Sequence, residues 1–428
     1  MKENCVVELF SEGRWAEVAS VSLLGKQEAG WKAGTFCGYA AEWAMAHPGA
    51  RDAWALSSSF PVSLEPLELP HWPVFLIDML PQGYGRRELL RRLNRAETQD
   101  LAGDWPLLLA GAGNPIGHLR IKEAAAWLAR QKGPQQGFTD DEVALRSEEF
   151  IEYLSGHGLF VAGSSGVQGE WPKVLLTRCS DGLLYLDHTL PDAQAVAHFI
   201  VKFGRGPNPA LASILRNEAP YMELARFLRL RVHASLRLVR QALFIPRFDR
   251  FVENGIVVRL AQESIATLTG KVGFEQLPTH NEVCRRLAAV ATNPLEEVLE
   301  YLKRDVANLA LGNKDNHARN TAVQRCFDGH IALTPLYDFA PMYMHPDGIA
   351  RCIRWEGKDG SAPDWNQVVD AVAEDCRLDR TALAQELKAM VAPLRELPMY
   401  APTVGVEERV VTYLTPSIIG MAEALAKL

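Results

Sequence analysis

From Leu311 to Asn320 the chain reads Leu-Gly-Asn-Lys-Asp-Asn-His-Ala-Arg-Asn, a short run crowded with ionisable and amide side chains. Asp315 and Asn320 stand five residues apart in it. A carboxylate can orient an attacking hydroxyl and accept its proton, while an amide oxygen can hold Mg²⁺ without adding a full negative charge. Such residues also crowd ordinary turns, so the pair needs company. Eighteen residues beyond Asn320 stands Asp338, within Leu333-Thr-Pro-Leu-Tyr-Asp338-Phe-Ala340. Between them, Val323–Cys326 and Ile331–Leu333 predict two short strands turning at Asp328-Gly329. Asn320 and Asp338 are hard oxygen donors, the kind that suits Mg²⁺ carrying nucleotide phosphates. His317 has no second His or Cys at ligand spacing, and its expected role is to orient the loop.

Further candidates lie upstream. Gly163-Ser164-Ser165-Gly166-Val-Gln-Gly169 places three glycines at intervals of three. It is either a flexible hairpin tip or a loop whose backbone N–H groups approach phosphate oxygens. His198-Phe-Ile-Val-Lys202-Phe is an apolar strand with one lysine inside it. A buried lysine needs a partner. Glu218, on the next predicted helix, would supply it and complete a pair that positions phosphates; a solvent-reaching edge lysine is the alternative. Arg247-Phe-Asp-Arg250 closes this half, where Pro246, Phe248 and Asp249 could offer backbone groups to adenine and a carboxylate to ribose. Arg247 and Arg250 could equally form an Arg–Asp ion-pair corner.

The elements that must position these residues fall into three stretches. Residues 1–130 mix short apolar runs with turns, with a strand at Val6–Phe10 and an apolar run at Pro73–Leu80. The segment Tyr84–Ala96 predicts an amphipathic helix whose arginines, from Arg86 to Arg95, form a solvated face or a surface for phosphate or a partner. The polar stretch Gln131–Gly137 reads as a linker. Residues 138–250 are rich in short strands: Leu159–Ala162, Lys173–Arg178, Leu183–Leu186, His198–Phe203 and Gln241–Ile245, with a helix at Pro209–Leu230. Residues 251–428 open with a strand at Gly255–Leu260. Beyond Thr279 they are mostly helical, with helices expected at Asn281–Ala291, Pro294–Leu311, Trp365–Glu374, Arg380–Leu394 and Pro416–Lys427. The fold class is α+β, two lobes with a cleft between them.

Composition narrows the function. The 428 residues carry 45 Lys plus Arg against 52 Asp plus Glu, a net charge of -7 that argues against a mainly electrostatic nucleic-acid binder. The seven cysteines are scattered without a C-x-x-C pair, as in reduced cytoplasmic proteins. No apolar run approaches the ~18 residues of a membrane span, so a soluble, cytoplasmic chain is expected.

The interval between Asp315 and Asn320 matches that between the catalytic Asp and metal-binding Asn of protein-kinase loops, and Asp338-Phe-Ala resembles their Asp-Phe-Gly. More specifically, the chain resembles the HipA family of bacterial serine/threonine kinases, the toxin kinases of HipA–HipB toxin–antitoxin pairs. The resemblance rests on Gly312–Asn320, Leu333–Asp338, Arg247–Arg250, Pro172-Lys173 and Asn217-Glu218, supported by Leu56–Pro61 and Phe75–Gly83. It implies a protein-kinase-like, HipA-like fold: a β-rich N-terminal lobe with an N-terminal subdomain, and a helical C-terminal lobe. It also implies ATP and Mg²⁺ as cofactors, with Asp315 as catalytic base and Asn320 and Asp338 as metal ligands. Lys173 and Lys202 would lie on the phosphates, under the glycine loop.

A protein substrate with a target serine, a HipB-like DNA-binding antitoxin and autophosphorylation at Ser164 or Ser165 follow from the same resemblance. DNA would be met only through that partner. The chain departs from the family pattern at Gly166, where Ser is expected, at Trp171 for Gln, at Pro246 for Glu and at Arg319 for Lys. A small-molecule or lipid kinase on the same fold, and a catalytically weak nucleotide-binding scaffold or DNA corepressor acting through Arg86–Arg95, are the alternatives.

Overall fold

A computed structural model describes residues 3–95, 101–131, 133–157, 173–204, 207–357 and 362–428. The N-terminal part is built on a five-stranded antiparallel sheet. Its spatial order is Leu67–Leu69, Thr35–Tyr39, Arg14–Leu23, Asn4–Ser11, Leu119–Ile121. Cys5, Val7 and Leu9 alternate along the second-to-last of these strands and are fully buried, the period of two that a one-sided sheet demands. They pack with Trp72 and with Leu76 and Trp105 from the short helices Val74–Asp78 and Asp104–Gly111. The apolar run at 73–80 is thus mainly a helix, started by Pro73, whose fixed φ suits a helix entry.

A second five-stranded antiparallel sheet forms the upper lobe, in the order Leu184–Leu186, Lys173–Cys179, Ala195–Phe203, Ala242–Pro246, Arg237–Val239. The helix Pro209–Phe227 starts at Asn208, whose side chain accepts the N–H of Ala210, and crosses behind it. Two helices not anticipated from the sequence, Asp140–Leu145 and Glu148–Gly156, cover the other face. There Phe138 and Phe150 pack on Val174, Val201 and Phe244. The first of these helices carries a full capping box between Thr139 and Glu142. The expected strand Leu159–Ala162 lies outside the described residues.

The hairpin Arg250–Glu253/Ile256–Arg259 turns at Asn254-Gly255, both with positive φ (51° and 76°), the Asn-Gly pairing a two-residue hairpin turn prefers. A three-stranded sheet follows, Ala261–Ser264, Ala322–Arg325, Ile331–Leu333. The helices His280–Val290, Pro294–Ala310, Trp365–Cys376, Arg380–Lys388, Val391–Tyr400 and Glu408–Leu425 enclose the largest core. Two helix expectations change. The stretch 380–394 belongs to two helices, broken between Lys388 and Val391, and the last helix starts at Glu408 rather than at Pro416. Pro416 sits inside it because the carbonyl it cannot bond belongs to Thr412, which is exposed and can bond water instead.

The N-terminal part is locked to the helical lobe by buried polar contacts. Glu263 accepts from the hydroxyls of Ser57 and Ser58 (2.9 and 3.0 Å) and from the Ser58 N–H (2.9 Å). Arg325, fully buried beside Glu263, donates to the backbone carbonyls of Arg51, Asp52, Ala55 and Leu56.

Candidate active site

The loop that carries Asp315 is set by the end of the helix Pro294–Ala310. Gly312 takes φ +67°, and the Asn313 N–H reaches back to the Asn308 carbonyl at 2.9 Å. That bond spans five residues and closes the helix end through a left-handed glycine. The chain then turns outward through Asp315, which is partly exposed, and returns at Asn320. The Asn320 amide donates to the Asp315 backbone carbonyl at 2.8 Å, which leaves its oxygen as the group presented elsewhere. His317 Nε2 lies 3.6 Å from Asp315 Oδ1. Burial lowers its pKa, opposed by Asp315 and Asp338. At neutral pH it is therefore a neutral ring that braces the loop. Asn316 ties down the segment beyond Asp338: its amide donates to the Ile353 carbonyl (2.9 Å) and accepts from the Cys352 N–H (2.7 Å). Arg351 and the Trp355 indole fasten the same segment to Asp305.

The second half of the site is a buried charge cluster. Lys202 projects from the strand Ala195–Phe203 and donates to Glu218 of the helix Pro209–Phe227 at 2.6 Å and to Asp338 at 3.0 Å. Lys173, directly opposite Lys202 across the strand pair, reaches Asp338 at 3.5 Å. Like charges facing each other across a ladder repel. Both lysines are 5% exposed, so the arrangement depends on the two carboxylates set against them. Burial works against the Lys202 charge, yet Asp338 and Glu218 outweigh it and hold the ammonium above the usual lysine value. Asp338 is likewise buried, and Lys173 and Lys202 keep its carboxyl well below the ordinary range. Asp338 adopts φ +50°, a left-handed conformation unusual for a residue with a Cβ and often found at functional sites. The other Glu218 oxygen, Oε1, is buried with no hydrogen-bond partner among the described residues.

At the segment joining the lobes, the ion-pair corner forms. Arg247 holds both oxygens of Asp249 (2.8 and 2.6 Å), and Arg250 donates to Asp187 (2.8 Å) and to the Pro115 carbonyl (3.0 Å). Asp249 also accepts the Gly117 N–H at 2.9 Å, and its carboxyl is held below the usual range by the two guanidiniums against the effect of burial. Both Asp249 oxygens are thus engaged by protein donors, while Asp249 also lines the cavity beside this segment. The bend at Phe248–Asp249, between two strands, brings the Arg247 and Asp249 side chains together, where they satisfy each other. Pro246, Phe248 and Asp249 line a cavity of about 200 Å³, together with Ile200, Leu236, Ile245 and Leu336. Lys173, Glu218, Asn320 and Asp338 line the same cavity. Asp315 stands at its neighbour, a chamber of about 30 Å³ behind the loop that shares Asn320.

The structure thus brings Lys173, Lys202, Glu218, Asn320 and Asp338 together, with Asp315 and His317 on the adjoining loop. Gly163, Ser164, Ser165, Gly166 and Gly169 lie outside the described residues. The arginine-rich helix spans Gly83–Arg92, shorter than expected. Arg86 is ion-paired to buried Asp104 at 2.6 Å, and Arg92 donates to the Ser155 carbonyl. The sequence reading missed a contribution from the N-terminal part: Phe75, Asp78 and Met79 also line the large cavity. A single carboxylate inside the apolar run Phe75-Leu-Ile-Asp-Met-Leu was the available signal.

A β-rich upper lobe with a lysine–glutamate pair, joined to a helical lobe bearing an Asp/Asn loop and a downstream metal-type Asp, defines a two-lobed protein-kinase-like fold. Residues 165–396, more than half of the chain, match the HipA-like C-terminal domain. The chain belongs to the HipA family. It is 27% identical over 310 residues to a protein of Sinorhizobium fredii (strain NBRC 101917 / NGR234) named "Putative kinase Y4mE", an alignment covering 68% of this chain and 69% of the relative. It superposes with a TM-score of 0.68 on HipA of Shewanella oneidensis MR-1, solved with HipB and its operator DNA. That match covers 98% of this chain and 96% of the other, at 19% identity. No helix among the described residues is long and apolar enough to cross a membrane.

Proposed function

We propose that this chain is an ATP- and Mg²⁺-dependent serine/threonine protein kinase. The observation that carries the reading is the Lys202–Glu218–Asp338 cluster, whose two carboxylates line one cavity with Lys173 and Asn320. The residues fit a metal–nucleotide complex. Asp338 is kept ionised, Asn320 turns its amide nitrogen inward, and the donor set is two hard oxygens, matching the few protein ligands Mg²⁺ takes. Asn320 and Asp338 would hold the metal, whose positive charge would offset the negative charge developing on the transferred phosphoryl group. Lys202, held charged by its two carboxylates, would bind phosphate oxygens, and Lys173 would add a second cation. The apolar walls Ile200, Leu236, Ile245 and Leu336 would take the base. Asp315 would orient the serine hydroxyl and accept its proton as the oxygen–phosphorus bond forms and the bond to the departing ADP breaks.

The fold match to a HipA solved with HipB supports a HipB-like antitoxin as partner, with DNA met through it. Autophosphorylation at Ser164 or Ser165 belongs to the same reading. Intact mass after incubation with ATP and Mg²⁺ tests it, with Asp315→Asn as control. A gain of one phosphate in the wild type and none in the control is expected. No gain, no phosphate transfer to any protein of a cell lysate and no ATP-dependent thermal stabilisation would overturn the assignment.

A further inference from the structure

The arginine that follows the catalytic Asp by four residues is not aimed at the charge cluster. Arg319 Nε donates to Asp78 Oδ1 at 3.1 Å, its Nη2 donates to the Gly273 carbonyl at 3.0 Å, and its guanidinium lies over the Phe274 ring at 4.5 Å. The Arg319 side chain is 8% exposed. Asp78 ends the short helix Val74–Asp78 of the N-terminal part, and its second oxygen accepts from the Thr267 hydroxyl (2.6 Å) and the Ser264 N–H (3.3 Å). One carboxylate therefore gathers three donors: the residue beside Asn320, the start of a C-lobe helix and the strand leading into it. The Arg319 carbonyl also accepts the Tyr337 hydroxyl at 2.9 Å, next to Asp338. The backbone on either side of Arg319–Asn320 is thus held from the N-terminal part through Asp78 and from the Asp338 segment through Tyr337.

We infer that Asp78 and Arg319 are positioning residues: the N-terminal part sets the placement of Asn320 and the loop around Asp315 through this ion pair. The inference rests on the kinase reading for its catalytic consequence, but not for its geometry. A bidentate-capable guanidinium, packed on a ring and bonded on two sides, fixes its backbone more tightly than a point charge on a flexible stem. That suits arginine at this position, since its Nε and Nη2 reach two separate acceptors, whereas a lysine would have to serve both from one nitrogen. Loss of the carboxylate would release the loop without touching any group in the charge cluster. Displacement of a catalytic group by about 1 Å can slow turnover by about a hundredfold.

The test uses the full chain with Asp78→Asn and Arg319→Lys, and Trp54→Leu as control. Trp54 belongs to the same N-terminal part and packs on Phe327 through its ring, with its indole donating to the Phe327 carbonyl, away from the loop. Hydrogen exchange of peptides covering 312–321 and steady-state phosphotransfer are measured on each. Asp78→Asn should speed exchange in that peptide by about tenfold and lower kcat by about ten- to a hundredfold. Arg319→Lys should fall between. Unchanged exchange in Asp78→Asn, or an equal effect from Trp54→Leu, would overturn the inference. A wild type inert towards nucleotide would instead sink the kinase reading, while the exchange arm would still decide the positioning role.

Discussion

Replacing Lys202 by Met retains most of the apolar stem but removes an ammonium 2.6 Å from Glu218 and 3.0 Å from Asp338. Asp338 keeps Lys173 at 3.5 Å. Glu218 is stranded: it is 1% exposed, and its Oε1 has no partner among the described residues even in the intact cluster. Breaking a buried pair by removing one member costs about 3–5 kcal/mol, so Lys202→Met should lose about that much stability at pH 8. The loss should depend on pH in a defined direction. Burial already pushes the Glu218 carboxyl above its ordinary value of 4.5, against the pull of Lys202, and the variant removes that pull. A carboxyl raised in the folded state is penalised most at high pH. The deficit therefore shrinks as pH falls through the raised folded value and is gone below the unfolded one. Urea unfolding followed by tryptophan fluorescence at pH 8 and pH 5.5 reads this directly. Adding Glu218→Gln to the variant removes the stranded charge and should recover about 1–3 kcal/mol. An equal deficit at both pH values, with no recovery in the double variant, would refute the picture of a dry carboxylate held by Lys202.

Asp249→Asn should destabilise by about 3–5 kcal/mol at pH 7, because Arg247 and Arg250 are left buried with one compensating carboxylate fewer. Asp249 has its folded-state pKa depressed, so its contribution is present above the unfolded carboxyl value and is lost as pH falls below it. Melting curves of wild type and variant should accordingly converge only below about pH 4. Gly312→Ala forces a Cβ into φ +67° and to 2.7 Å from the Tyr343 ring. A stability loss of about 1–3 kcal/mol is expected by thermal unfolding, and a neutral result would mean that the helix end relaxes freely.

Much of the site was legible because it is local. Asp315, Asn320 and Asp338 lie on one loop–hairpin–loop stretch, where spacing translates directly into geometry. A lone lysine in an apolar strand likewise announced its need for Glu218. The remaining contacts join residues far apart in sequence. Lys173 meets Asp338 across 165 residues, and Arg319 meets Asp78 across 241; nothing in either neighbourhood names the other. Asp249 shows how far residue type alone carries a reading. Its carboxylate suited a ligand, and the structure adds that Arg247, two residues away, holds both of its oxygens. The helices Asp140–Leu145 and Glu148–Gly156 went unread although Thr139 and Glu142 form a start signal, because each is short, under three turns, and gives little periodicity.

The contacts of Glu263 and Arg325 with the Arg51–Ser58 segment bear on how this protein can be dissected. Arg325 is wholly enclosed and gives its guanidinium to four backbone carbonyls of that segment, and Ser57 and Ser58 supply three of the bonds to Glu263. Cutting the chain before the upper lobe would expose a socket shaped for a loop that is no longer there. The two lobes are therefore not a minimal kinase core carrying an accessory module. The N-terminal part acts as the third wall of one fold, and catalytic competence should be inherited or lost with all three walls together.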